Sequence, residues 1–98
     1  MITQVETEAL LAGVVDVVSN AATTASVVAG AAPAGIAPVP AGADEASALA
    51  SVNTSVHTAE FLATAAQGTF LLGHYAGTLG ITGLGYEVVD DGNAAMLA

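Results

Sequence analysis

All three prolines of this 98-residue chain fall between positions 33 and 40, in Ala31-Ala32-Pro33-Ala34-Gly35-Ile36-Ala37-Pro38-Val39-Pro40-Ala41-Gly42-Ala43. Each proline lacks an amide donor and turns the residue before it away from helix. The segment therefore predicts an extended connector over 32–43 between two proline-free halves. In the first half, Leu10, Val14, Val17, Ala21 and Val28 recur at helical spacing. A second apolar row, Leu11, Val15, Val18, Ala22 and Ala25, runs beside them, with Gly13, Asp16, Asn20 and Thr23 opposite. The valine pairs around Asp16 would suit a strand, but Asp16 breaks the alternation and the 3.6-residue period extends much further. Thr3 and Glu6 have capping-box spacing. This half reads as helix from about residue 4 to 31.

The second half opens with Asp44-Glu45-Ala46-Ser47, which sets acid at the positive end of a helix dipole with Asp44 as the N-cap. Leu49, Val52, Val56, Ala59, Ala63, Ala66 and Phe70 follow a three-four spacing, and Asn53, His57, Glu60, Thr64 and Gln67 line a polar face. Helix is expected from about 45 to 82. Beyond residue 67 the glycines Gly68, Gly73, Gly77, Gly80, Gly83 and Gly85 each cost roughly 0.5–1 kcal/mol relative to alanine in a helix. Either the helix frays or breaks near residue 80, or something packs closely on Gly73, Gly77 and Gly80. Residues 83–98 are expected to form a tail. The fold class is all-α, an antiparallel two-helix hairpin in a single domain. Such a hairpin supplies one layer of burial and calls for a second.

Composition says what that second layer cannot be. Nine acidic residues and no lysine or arginine give a formal charge of -9. The chain cannot neutralise phosphates, so nucleic acid is excluded as a partner, and anionic lipid headgroups for the same reason. Hydrophobic residues make up 54% of the chain, too many for an acidic disordered tail. Most are small, so the core of a monomer would be thin and burial shared with another chain is expected. Absence of cysteine removes disulfides, thiolate metal sites and cysteine nucleophiles. Met1-Ile2-Thr3-Gln4-Val5-Glu6 carries acid where a secretory signal is positive. The nearly uncharged stretch Val27–Ala43 is interrupted by its prolines, so no membrane-spanning helix is expected.

Three features together resemble the PE proteins of mycobacteria, over essentially the whole chain. Thr7-Glu8-Ala9-Leu10 is similar to the family's Pro-Glu-Ala-Leu, with Thr7 in place of the proline. The stretch from Val39-Pro40-Ala41-Gly42-Ala43 into Asp44-Glu45-Ala46-Ser47-Ala48-Leu49 is close to the family's entry into its second helix. Tyr86-Glu87-Val88-Val89-Asp90 is a Tyr-x3-Asp pattern. The resemblance implies a 1:1 heterodimer with a PPE protein, in which the hairpin completes a four-helix bundle. It implies export by a type VII (ESX) secretion system, an EspG-type chaperone holding the PPE subunit, and a signal carried by Tyr86 and Asp90. The product would be secreted or held at the cell surface or outer membrane. Ending at Ala98, the chain is expected to be a minimal PE domain like the short members encoded in ESX loci.

Bland readings stand beside these. Tyr86 and Asp90 could form an ordinary C-terminal cap contact. His57 and His74 lie about 25 Å apart on one helix and cannot share a metal. His57 with Glu60 supplies two ligands, too few for a site. Asp90-Asp91-Gly92-Asn93 has too few residues after it for a calcium loop. A hairpin offers no nucleophile elbow or sheltered pocket, so neither enzyme activity, cofactor nor metal is expected. The apolar residues must divide between the hairpin and the partner. The partner-facing set is expected to be Leu10, Leu11, Val14, Val18, Val56, Phe61, Leu62, Phe70 and Leu71, with Leu72 alongside, because bulky anchors dominate interface energy. A transport role for the exported pair in the outer membrane is the second functional reading.

Overall fold

The computed structural model describes residues 5–98. It contains two helices, α1 (Thr7–Ile36) and α2 (Glu45–Leu97), and among the described residues no strand. The chain divides into two compact units, one combining Met1–Ala21 with Leu71–Ala98, the other comprising Ala22–Phe70.

In the unit that holds both chain ends, the start of α1 lies antiparallel to the end of α2. A Cβ on Gly83 would sit 3.6 Å from the Leu10 Cβ, one on Gly80 3.8 Å from Val14 Cγ2, and one on Gly13 3.6 Å from Leu79 Cδ2. Large residues of each helix thus enter gaps left by glycines of the other. Close approach occurs at Gly80 and Gly83, whereas Gly73 and Gly77 have nothing within 4 Å. Ala21, Ala76 and Gly83 are the buried residues among those described.

The Ala22–Phe70 unit holds the end of α1, the connector and the first half of α2. Here the first helix overruns its expected end at 31. Pro33 lies inside α1, and Ala37 N–H donates to the Pro33 carbonyl at 3.3 Å to close the last turn. A proline so near the C-terminus forfeits only one amide bond, and the half-buried Ala32 and Gly35 keep the turn against its neighbour. A Cβ on Gly35 would lie 2.7 Å from Thr58 Cγ2, so only glycine admits that approach. Pro38 and Pro40 then end the helix. The connector is 37–44 rather than 32–43.

Because Gly35 lies against Thr58, residues 45–57 of α2 extend past the end of α1. The connector runs back along them. The Ser51 hydroxyl donates to the Pro38 carbonyl, and Pro38–Ala41 share a groove with Ala46, Ser47, Ala50, Ser51 and Thr54. Eight extended residues reach about 26 Å, enough to cover thirteen helical residues at about 20 Å.

The N-cap is where the sequence puts it. Asp44 Oδ2 accepts from Ser47 N–H at 3.0 Å and Oδ1 from the Ser47 hydroxyl at 2.7 Å. These bonds hold its carboxyl below the ordinary value of 3.8. A depressed folded-state pKa adds stability that is present above the ordinary value and lost as pH falls through the lowered one. Asp44→Asn keeps a capping oxygen without the charge. Thermal melts of that variant should show a smaller acid-induced fall in Tm than wild type below about pH 4. Equal falls would remove the charge from the account.

Along α2 the half-buried or buried positions are 47, 51, 55, 58, 62, 65, 69, 72, 76, 79, 80 and 83, and from 51 onward all but 80 are alternately four and three apart. This 3.5-residue period is that of a coiled-coil seam. Its hydroxyl members are satisfied on their own helix, Ser55 donating to the Ser51 carbonyl at 3.1 Å and Thr69 to Ala65 at 3.0 Å, which leaves mainly carbon to face across. On α1 the half-buried or buried positions are Thr7, Leu10, Gly13, Val14, Val17, Ala21, Val28, Ala32 and Gly35.

The second helix does not stop near residue 82. It continues to Leu97, so residues 83–97 are helix rather than tail. The expected start of the first helix at residue 4, with its Thr3 cap, lies outside the described residues. Val5 and Glu6 precede α1, and Leu10 N–H donates to the Glu6 carbonyl at 3.1 Å.

Candidate functional site: the Tyr86–Asp90 end and the exposed apolar rows

Tyr86 and Asp90 lie four residues apart on a continuous helix, which sets them on one face. Both line a concavity of about 510 Å³ shared with Val5, Glu6 and Thr7 at the start of α1. The register set by Leu10 against Gly83 brings Thr7 level with Tyr86, so two motifs nearly eighty positions apart in sequence meet at one place. Glu8 is exposed and does not line the concavity. Tyr86 is 52% exposed, its ring available to a partner. Glu6, Glu87, Asp90 and Asp91 line the same hollow, with no lysine or arginine anywhere in the chain to offset them.

The nominated partner-facing residues separate into two groups. Leu10, Val14, Leu62 and Leu72 are half-buried members of the seam rows. Leu11, Val18, Val56, Phe61, Phe70 and Leu71 are exposed. Within the Ala22–Phe70 unit, Leu49, Val52, Val56 and Phe70 share one exposed row of α2. Phe61 lies nine residues from Phe70, two and a half turns at 3.6 residues per turn, and so faces away from that row. In the other unit, Leu11, Val15 and Val18 form an exposed row on α1.

His57 Nδ1 lies 3.4 Å from Glu60 Oε2, both side chains largely in water. Among the described residues no three His, Asp or Glu side chains are placed to hold a metal ion. α1, with a mean hydropathy of 1.4 over its most apolar window, is long and apolar enough to cross a membrane by length and composition. The prolines led to the opposite expectation, and Pro33 does not end the helix.

The PE family profile matches residues 3–93. This chain belongs to the PE family. The match spans Thr7, the connector and Tyr86–Asp90 alike. No curated protein and no solved structure matches the chain. What sequence reasoning missed in this PE chain is the meeting of Thr7 with Tyr86. Residue types alone carry no signal for that pairing.

Proposed function

We propose that this PE chain is the interaction subunit of a PE/PPE heterodimer exported by a type VII (ESX) secretion system, with Tyr86 and Asp90 as its signal. The carrying observation is area. The chain exposes 7291 Å² at 9.4 kDa, whereas a folded monomer of that mass exposes roughly 5,000 Å². The excess of about 2,300 Å² is what one subunit contributes to an obligate interface. The exposed rows Leu11, Val15, Val18 and Leu49, Val52, Val56, Phe70 supply apolar surface for it. A second copy is a poor occupant, since two chains of charge -9 without one lysine or arginine would meet. PE proteins pair with PPE proteins, and a PPE subunit would complete the four-helix bundle while an EspG-type chaperone holds it before export. The chain does no chemistry in this role.

Export of the co-expressed pair tests the signal. Tyr86→Ala and Asp90→Ala should each abolish secretion while the heterodimer still co-purifies from the cytosol. Both side chains are exposed on α2, past Gly83, the last buried position of that helix, so folding is not at stake. Wild-type secretion of both variants would end the assignment. The second reading, solute transport by the pair in the outer membrane, is favoured by the apolarity of α1 alone. It predicts detergent-dependent extraction of the exported pair and a solute-uptake defect when the chain is deleted.

A further inference from the structure

In an antiparallel helix pair, the residue that follows a seam position turns to the same side on both helices, because reversing the chain and facing it across the seam cancel. Where the start of α1 meets the end of α2, those residues on α1 are Glu8, Leu11, Val15 and Val18, which follow Thr7, Leu10, Val14 and Val17. On α2 they are Gly73, Gly77, Gly80 and Leu84, which follow Leu72, Ala76, Leu79 and Gly83, and the same register carries on to Glu87 and Asp91. All but Gly80 are exposed. This side is apolar along Leu11, Val15 and Val18 and flat over Gly73 and Gly77, where a Cβ would meet nothing within 4 Å. Toward the chain ends it turns acidic on both helices at one level. Leu10 packs on Gly83, so Glu8 comes level with Gly85, about 3 Å along the axis from Glu87 and about 9 Å from Asp91. Asp16, which precedes Val17, turns to the opposite side.

We propose that this acidic edge sets the register of the docked partner. The PPE helix that covers Leu11, Val15 and Val18 carries lysine or arginine at the level of Glu8, Glu87 and Asp91. The inference rests on the PE/PPE reading and adds to it the chemistry and the place of one contact. Apolar rows alone define register poorly, since a helix moved along Leu11, Val15 and Val18 by one turn, about 5.4 Å, still meets carbon. The carboxylates remove that freedom. The chain holds no lysine or arginine to pair with them. A partner that lays apolar or acidic side chains over this edge takes water from the carboxylates and returns nothing, whereas a cation there is attracted. Charges at the rim of an interface act mainly on encounter and on the choice of partner, while the apolar rows hold the pair together.

Competition within the complex tests the proposal. Wild-type chain and a variant are co-expressed with one PPE protein, and the ratio captured through the PPE subunit, relative to the amounts expressed, is read by mass spectrometry. Glu8→Lys and Glu87→Lys should each be captured about fivefold less than wild type, because attraction becomes repulsion. Glu8→Gln and Glu87→Gln remove the attraction alone and should fall by about twofold. Asp16→Lys makes the same change of charge on the opposite side and should be captured like wild type. Wild-type capture of Glu8→Lys and Glu87→Lys would overturn the proposal, and so would an equal loss for Asp16→Lys. If no PPE protein captures the wild-type chain, the heterodimer reading itself falls and takes this inference with it, an outcome distinct from the other two.

Discussion

Ala76→Asp should abolish cooperative folding of the hairpin. Ala76 is a buried member of the α2 seam, 2% exposed. An aspartate there must ionise in an apolar setting or stay protonated, and the chain has no lysine or arginine to pair with it. An uncompensated buried charge costs roughly 3–5 kcal/mol. That is a large part of the 5–15 kcal/mol by which typical domains are stable. Ala76→Gly is the control, because it removes one methyl and costs about 1 kcal/mol in helix propensity. Circular dichroism of the two variants, each with its partner present, should show helix lost in the first and a small downward shift in Tm in the second. An Ala76→Asp variant that melts like wild type would mean that the seam does not hold the helices together.

Val56→Asp should leave the hairpin intact and strip away the partner. Val56 is half exposed and lies on the row with Leu49, Val52 and Phe70, so in the free chain the new carboxylate stays in water. Under a docked PPE helix it would be desolvated without a counter-charge from its own chain. Interface anchors of this kind are worth about 2–4 kcal/mol, so co-purification should weaken by well over tenfold. Phe70→Ala should weaken it through lost apolar contact alone. Thr64→Asp, on the polar face and about 80° round the helix from Val56, adds the same charge and should leave pairing unchanged. If Val56→Asp and Thr64→Asp behave alike, the partner does not sit on this row.

Much of the fold was legible because its punctuation is chemical. Asp44 and Ser47 announce a helix start, and Pro38 and Pro40 announce a helix end. The misreadings share a cause, since each applied a local rule where packing decides. Pro33 was read as a stop, yet it lies in the last turns of α1, where one lost amide bond costs little. Gly80 and Gly83 were weighed as possible breaks, and they are the gaps that admit Val14 and Leu10. Hydropathy selected Leu49, Val52 and Val56 as the main stripe of α2. The seam instead runs through Ser51, Ser55, Thr58 and Thr69, three of them with hydroxyls bonded to backbone carbonyls. The spacing of Tyr86 and Asp90 was visible in the sequence. Their place beside Thr7 follows from Leu10 packing against Gly83, which no residue count reveals.

The most direct test of a hairpin that is half of a bundle is sizing with circular dichroism, first on the chain alone and then co-expressed with PPE candidates. The chain alone should be aggregated or weakly helical without a cooperative melt, and the complex should elute at 1:1 with strong helical signal and a sharp transition. A monodisperse, cooperatively melting monomer would contradict the account, because its exposed rows and its excess of about 2,300 Å² would then need no partner.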